Sequence, residues 1–220
     1  FCNITYPDGR PFEGDGRWLL GQLEQRALFQ GYSFLVGPEC EFYLFETDEK
    51  GRPPHTPFDE AGYFDIAPLD KGENVRRQIC LTLEEMGVQP ERSHHEQGPG
   101  QNEVDFRCAS PLAAAFLAGG LAHAAECMPF TNPLPGSYAR LGGFEAPGTV
   151  SWSPHNRSCL VRVPAATGQD SRIELRSPDP SCNPYFATLL LLSAGFEGVL
   201  AGLALPEAAD GDLFAGGGAA

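Results

Sequence analysis

A chain of 220 residues, 42% of them hydrophobic, can support one large domain or two small ones. A formal net charge of -14 argues against nucleic acid or an anionic membrane as the main partner; it serves solubility or reflects carboxylates clustered around a metal. Seven cysteines without a C-x-x-C pair or a secretory signal fit a reduced, cytoplasmic protein whose thiols pack as small apolar groups, and the five histidines, only His94 and His95 adjacent, exclude a histidine-rich zinc site.

Residues 1–15, rich in glycine and proline, read as a turn-laden connection. Leucines and alanines at 19, 20, 23, 27 and 28 predict a helix over 18–31. A strand is predicted over 34–45, then a polar loop over 46–59 containing Pro53-Pro54. Residues 74–86 predict an amphipathic helix with Val75, Ile79, Leu83 and Met86 facing inward, closed by Gly87. A hairpin is expected over 94–106, a helix over 112–128 and a second hairpin over 158–176. Residues 185–205 form an apolar run with Glu197 its only charge, long enough to be mistaken for a membrane span. It opens on Asn183-Pro184, an N-cap followed by proline at the first helical position, and Gly195, Gly198 and Gly202 weaken insertion. A buried core helix is the expectation, followed by an unstructured tail from Ala215. Long helices interspersed with strands, without a βαβ rhythm, predict an α+β fold with an antiparallel sheet.

Two groups of residues carry chemistry. In the predicted strand Glu39 and Glu41 share one face, with Cys40 and Phe42 on the other. Such a pair is either a solvated face or a metal site. Pro99-Gly100 suits the centre of a tight turn, which would set Glu96 directly opposite Glu103. Like charges facing each other across a sheet are unfavourable unless a cation lies between them, and magnesium or manganese takes such oxygen ligands.

Arg172, Glu174 and Arg176 likewise share a face, with Ile173 and Leu175 on the other. A hairpin closing near Thr167 would bring Arg162 across from Arg172, with Arg157 just upstream. Converging arginines suit a polyphosphate, although a surface ladder of ion pairs with Asp170 and Glu174 reads equally well from these residues.

The segments GPECEFYLF, GYFDIAPLD, SHHEQGPGQNEVDF, TNPLPGSYARLGGFEAP, SWSPHNRSCLVRVPA and SRIELRSPDPSCNPY follow in that order. Together they resemble the signature segments of the glutamine synthetase family, bacterial type I branch, over residues 1–205. The resemblance implies the family's catalytic domain over 16–220, a curved antiparallel sheet flanked by helices, preceded at 1–15 by the end of an N-terminal β-grasp domain. It implies an ATP-dependent ligase that makes glutamine from glutamate and ammonium through a γ-glutamyl phosphate. By the same resemblance Glu41, Glu96 and Glu103 hold a first Mg2+ or Mn2+ that also orders substrate, and Glu39 and Glu174 a second that bridges the ATP phosphates. Arg140 and Arg176 would hold the glutamate carboxylates. Arg157, Arg162 and Arg172 would hold nucleotide phosphates, with Glu91 on the nucleotide. Glu145, in a glycine-flanked loop, would close the site and take a proton from ammonium; without the resemblance it reads as an ordinary loop glutamate. A homododecamer is implied, with no nucleic acid or membrane partner.

The sequence also departs from the family pattern. Near 112–116 it jumps from DFRCASPLAA into AFLAGGLAHA, without the several dozen residues that the family places there. Those include an NGSGMH-type stretch with a metal-binding and a nucleotide-binding histidine. The β-grasp domain's aspartate loop is missing too. Retention of every other catalytic position favours a longer synthetase of which this string joins separate parts; the alternative is a shortened, inactive structural or regulatory subunit. The amine stays open between ammonium and a larger amine such as a polyamine.

Overall fold

The computed structural model describes residues 2–106, 113–143, 145–164 and 172–214. In chain order the elements are α1 (Gly16–Phe29), β1 (Glu39–Tyr43), α2 (Glu73–Glu85), β2 (Pro90–His95), β3 (Gln101–Phe106) and α3 (Ala113–Ala122). They continue with α4 (Ala124–Thr131), α5 (Pro135–Ala139), β4 (Trp152–Ser153), β5 (Val161–Arg162), β6 (Glu174–Leu175) and α6 (Pro184–Ala201). The chain divides into two compact units, one of Phe1–Leu35 with Ser110–Ala220 and one of Val36–Ala109.

The smaller unit is built on an antiparallel sheet in the order β1-β3-β2. β1 is shorter than the predicted strand. Phe34, at the front of that apolar run, packs instead with Leu23, Ala27 and Phe196 in the core of the larger unit. The β2–β3 hairpin turns as expected at Pro99-Gly100: the Gln101 N–H donates to the Gly98 carbonyl over 2.9 Å, and Gly100 has φ +70°. A side chain at Gly100 would also strike the Leu44 carbonyl, 2.6 Å from an added Cβ.

The predicted register is two residues off. His94, not Glu96, stands opposite Glu103, and the Glu96 N–H donates to the Gln101 carbonyl over 2.8 Å. Gln97 and Gly98 are taken into a four-residue loop instead of extending the ladder. Their amides are satisfied locally, by the Glu96 carboxylate at 3.1 Å and the Gln101 side-chain oxygen at 2.9 Å. A slip of two residues keeps every side chain on its face, so Glu96 still sides with Glu103.

α2 also corrects the sequence reading. Arg76 is its buried residue, while Val75 and Met86 are exposed, Met86 by 66%, and Ile79 and Leu83 are half-buried. The reason is electrostatic: the Arg76 guanidinium is paired with Asp70 at 2.5 Å and donates to the Asn102 side chain, which draws that face of the helix inward. Of the six described cysteines, all free, Cys127 and Cys159 are buried as expected, but Cys2 and Cys40 are exposed.

In the larger unit the apolar run forms α6, long and apolar enough by composition to cross a membrane, and packed against α1, α3 and α4. Asn183 caps it by accepting from the Tyr185 and Phe186 amides at 3.0 and 3.3 Å, and Pro184 occupies its first turn. Gly119 of α3 and Gly198 of α6 let the two backbones touch. A Cβ on Gly119 would lie 2.2 Å from the Ala194 carbonyl, and one on Gly198 2.3 Å from the Ala115 carbonyl. The predicted helix 112–128 is two helices, broken at His123.

A second sheet, β4-β5-β6, packs its apolar face on α3 and α4. Leu117, Leu121, Ala124, Leu160 and Val161 form the core, with Trp152, Ile173 and Leu175 against it. β4 and β5 pair in parallel, unlike the antiparallel β5–β6 pair. In the second pair Arg162 stands opposite Glu174 rather than Arg172. Attraction across the register replaces the like-charge pair of the sequence reading. The connecting loop, including Thr167 and Asp170, lies outside the described residues, as does the predicted tail.

Candidate active site

One face of the smaller unit's sheet carries an unusual density of acid. On the central strand β3, Glu103 stands opposite Glu41 of β1 on one side and His94 of β2 on the other; Asp105, two residues on, stands opposite Glu39. The ligand atoms of Glu39, Glu41 and Glu103 lie within 4.8 Å of one another, and so do those of His94, Glu96 and Glu103. Glu103 belongs to both groups and is 4% exposed. Burial first, then the carboxyls of Asp105, Glu39 and Glu96, push its pKa up to about 11. The Tyr43 phenol is raised by burial and by Glu41 and Glu96. Both shifts report burial first and negative neighbours second.

The donor set is hard oxygen, as Mg2+ or Mn2+ prefers. A buried oxygen of Asp105, Oδ1, has no hydrogen-bond partner among the described residues. Leaving the buried Glu103 carboxylate uncompensated is unfavourable, so the residues fit a divalent cation held by Glu103 with the exposed Glu39 and Glu41, or by Glu103 with Glu96 and His94. His94 Nε2 lies 3.3 Å from Glu103 Oε1, and the ring is stacked on Phe64 at 4.4 Å. Gln101 Nε2 donates to Glu41 Oε2 over 2.8 Å, which orients that carboxylate. Glu91, the expected nucleotide contact, lies at the irregularity in β2 between Pro90 and Arg92, exposed and 3.7 Å from Arg92.

The larger unit holds the arginines. Glu174 accepts from Arg162 Nη2 at 2.6 Å and from Arg172 Nη2 at 2.8 Å, so three of the expected residues meet in one ion-paired group. Two bridges leave a carboxylate with lone pairs to spare. Arg176 Nη2 donates to Glu145 Oε2 over 2.8 Å. Arg140, just after α5, donates to the Asn132 side chain over 3.0 Å and to the Ser177 carbonyl. Arg162 Nε and Arg176 Nη1 are buried nitrogens without a hydrogen-bond partner among the described residues, while Arg140 Nε faces the Asp179 carboxylate at 3.6 Å. Unused buried donors on two arginines suit an anion. Arg157 is exposed in the turn after β4.

Glu145 sits in the left-handed region at φ +61°, a conformation that costs a non-glycine residue about 1–3 kcal/mol. Its loop is pinned at the base, where the Gly142 N–H donates to the Ala146 carbonyl over 2.8 Å and Ala146 is buried.

The sequence reading missed Asp105, His94 and Gln101 on the acidic face. Alternation contained all three, each two residues from a named glutamate. It also missed the network behind the sheet, where His95 meets Asp59 from 36 residues away. No local pattern announces that pair.

A family described as the glutamine synthetase catalytic domain matches residues 13–115 and 108–218. The glutamine synthetase of Clostridium saccharobutylicum is 39% identical over 280 aligned positions, covering 97% of this chain and 63% of the relative. That of Thermus thermophilus is 37% identical, covering 90% and 59%. The chain thus spans about three fifths of the length of these curated relatives. Among solved structures, Plasmodium falciparum glutamine synthetase superposes with a TM-score of 0.76 at 18% identity, covering 91% of this chain and 58% of that one. A GmaS–ADP complex superposes with 0.81 at 23%, covering 98% and 66%. These two likenesses speak for the fold, while the match over most of the sequence settles descent: the chain belongs to the glutamine synthetase family.

Proposed function

We infer that this chain is the catalytic part of an ATP-dependent ligase that forms glutamine from glutamate and ammonium through a γ-glutamyl phosphate. The observation that carries this reading is the buried Glu103, which shares one ligand group with Glu39 and Glu41 and a second with His94 and Glu96. Bound Mg2+ or Mn2+ would supply electrostatic stabilisation of charge on the transferring phosphoryl group.

The chain's own residues then take these roles. By family likeness Glu41, Glu96 and Glu103 are ligands of a first cation, and Glu39 and Glu174 are each assigned as a ligand of a second. Arg140 and Arg176 bind the carboxylates of glutamate, Arg176 through the Nη1 donor that no described residue engages. Arg157, Arg162 and Arg172 bind nucleotide phosphates, and Glu91 contacts the nucleotide. Glu145 accepts the proton released as ammonium becomes a nucleophile, and its loop keeps water from the acyl phosphate. Residues 16–220 form the catalytic domain, with a segment of the relatives absent near 112–116. The complete protein is a cytoplasmic homo-oligomer, a dodecamer by family likeness.

Phosphate release dependent on ATP, glutamate and divalent cation, measured first with ammonium and then with larger amines, tests the reading. Release and amide formation with ammonium support it. Preference for a larger amine overturns the choice of ammonium, and absence of turnover in the complete oligomer overturns catalysis itself.

A further inference from the structure

His95 points to the opposite face of the sheet from Glu103 and is 0% exposed; Asp59, which meets it there, is 3% exposed. The His95 Nδ1–H donates to the main-chain carbonyl of Glu96 over 2.7 Å, while Nε2 sits 2.8 Å from Asp59 Oδ1. That same oxygen accepts the Gly100 N–H at 3.0 Å, and Oδ2 accepts the Lys71 N–H at 2.9 Å. Asp59 is therefore tied to both ends of the β2–β3 loop: to Gly100 directly, and to Glu96 through the His95 ring.

Glu96 is where this matters. It lies just past the end of β2, and its N–H makes the last ladder bond, to Gln101. Its carbonyl is held by the His95 ring. A residue at a strand end, beside a four-residue loop, has fewer restraints than Glu103 in the central strand. A carboxylate that must share a cation with Glu103 needs its backbone held to within about half an ångström.

Asp59, Asp70 and His95 bring ligand atoms within 4.8 Å of one another, which invites a second reading as a cation site. Arg76 already provides a cation there, 2.5 Å from Asp70, so the cluster is complete without a metal.

We propose that Asp59 and His95 are positioning residues for Glu96, which hold the backbone of the β2–β3 loop so that the Glu96 carboxylate is presented beside Glu103 for a divalent cation. The proposal rests on reading Glu96 as a cation ligand. Its alternative is a buried polar pair that stabilises the fold and leaves cation affinity untouched.

Titration of the full-length chain with Mn2+, followed by water-proton relaxation, separates the two. Glutamine at position 95 reaches toward Asp59 but not back to the Glu96 carbonyl, whereas asparagine places an amide nitrogen near the position of Nδ1. His95→Gln is expected to weaken Mn2+ binding about 10–100-fold, the usual effect of removing a partner that orients a ligand, while His95→Asn stays within about threefold of the parent. Asp59→Asn sets an amide nitrogen against the N–H of Gly100 or Lys71 and so loosens the loop independently of the His95 ring; it is expected to weaken binding as His95→Gln does, and it gives the same reading should His95→Gln fail to fold. Unchanged Mn2+ affinity in His95→Gln and Asp59→Asn, with lowered thermal stability, overturns the proposal. Equal weakening by His95→Asn and His95→Gln overturns the role of the Glu96 carbonyl. Glu96→Gln serves as the control: parent-like Mn2+ binding in that variant removes the ligand reading itself, and the proposal with it.

Discussion

Glu41 and Glu103 are direct cross-strand partners on β1 and β3, two carboxyl groups facing each other over one face of the sheet. Such a pair lowers sheet stability when both groups are charged. In the absence of metal Glu103 keeps a proton: burial first, then the carboxyls of Asp105, Glu39 and Glu96, push its pKa up to about 11.

The consequence is a pH dependence of definite sign. The folded-state pKa of Glu103 lies above its ordinary value of 4.5, so its stabilising contribution is fully present below that value and declines as pH rises toward 11. A divalent cation takes the place of the proton. The rise in melting temperature on adding Mn2+ should therefore be larger at about pH 8.5 than at about pH 6. Glu103→Gln should abolish that rise without lowering the metal-free melting temperature. Thermal unfolding with and without Mn2+ at both pH values checks this, and a Mn2+ effect independent of pH would sink it.

Glu145→Ala should keep ATP and metal binding but lower amide synthesis by about 10²–10⁴-fold, the scale for losing a positioned proton acceptor. Phosphate should then be released without amide formation, as the acyl phosphate meets water. The lost contact to Arg176 is partly exposed and contributes at most about 1 kcal/mol, so the melting temperature should barely move. Unchanged synthesis with tight coupling would make Glu145 an ordinary loop residue.

Gly119→Ala and Gly198→Ala should each destabilise the larger unit by about 1–3 kcal/mol, because an added methyl meets backbone rather than a movable side chain. Gly120→Ala, in the next position of α3, has open space and serves as the matched control. Urea unfolding of the three variants should separate them; equal midpoints would contradict the close crossing of α3 and α6.

Arg76→Met should cost about 3–5 kcal/mol, since it leaves Asp70 buried without its cation. Adding Asp70→Asn to Arg76→Met should recover part of that loss, as the remaining side chain no longer carries a charge. A double variant less stable than Arg76→Met alone would show that the Asp70 contacts to the Gly72 amide outweigh the ion pair.

Face assignments were legible in the sequence because strand alternation is strictly local. Glu39 with Glu41, and Arg172 with Glu174 and Arg176, share their faces whatever the rest of the chain does. The caps of α6 and the turn at Pro99-Gly100 were legible for the same reason: Asn183, Pro184 and Gly100 act on their own backbone. Register was not, because it depends on how many residues a loop absorbs. Gln97 and Gly98 went into the loop through contacts with Glu96 and Gln101 side chains. Nor was the inward face of α2, where periodicity favoured Val75 and Met86. A buried ion pair between Arg76 and Asp70 turned the helix instead. The tie from Asp59 to His95, and through its ring to Glu96, joins residues 36 apart in the chain and exists only once the chain has closed on itself. Local stereochemistry thus chose which carboxylates share a face; tertiary packing decided how far apart they stand and what holds them there.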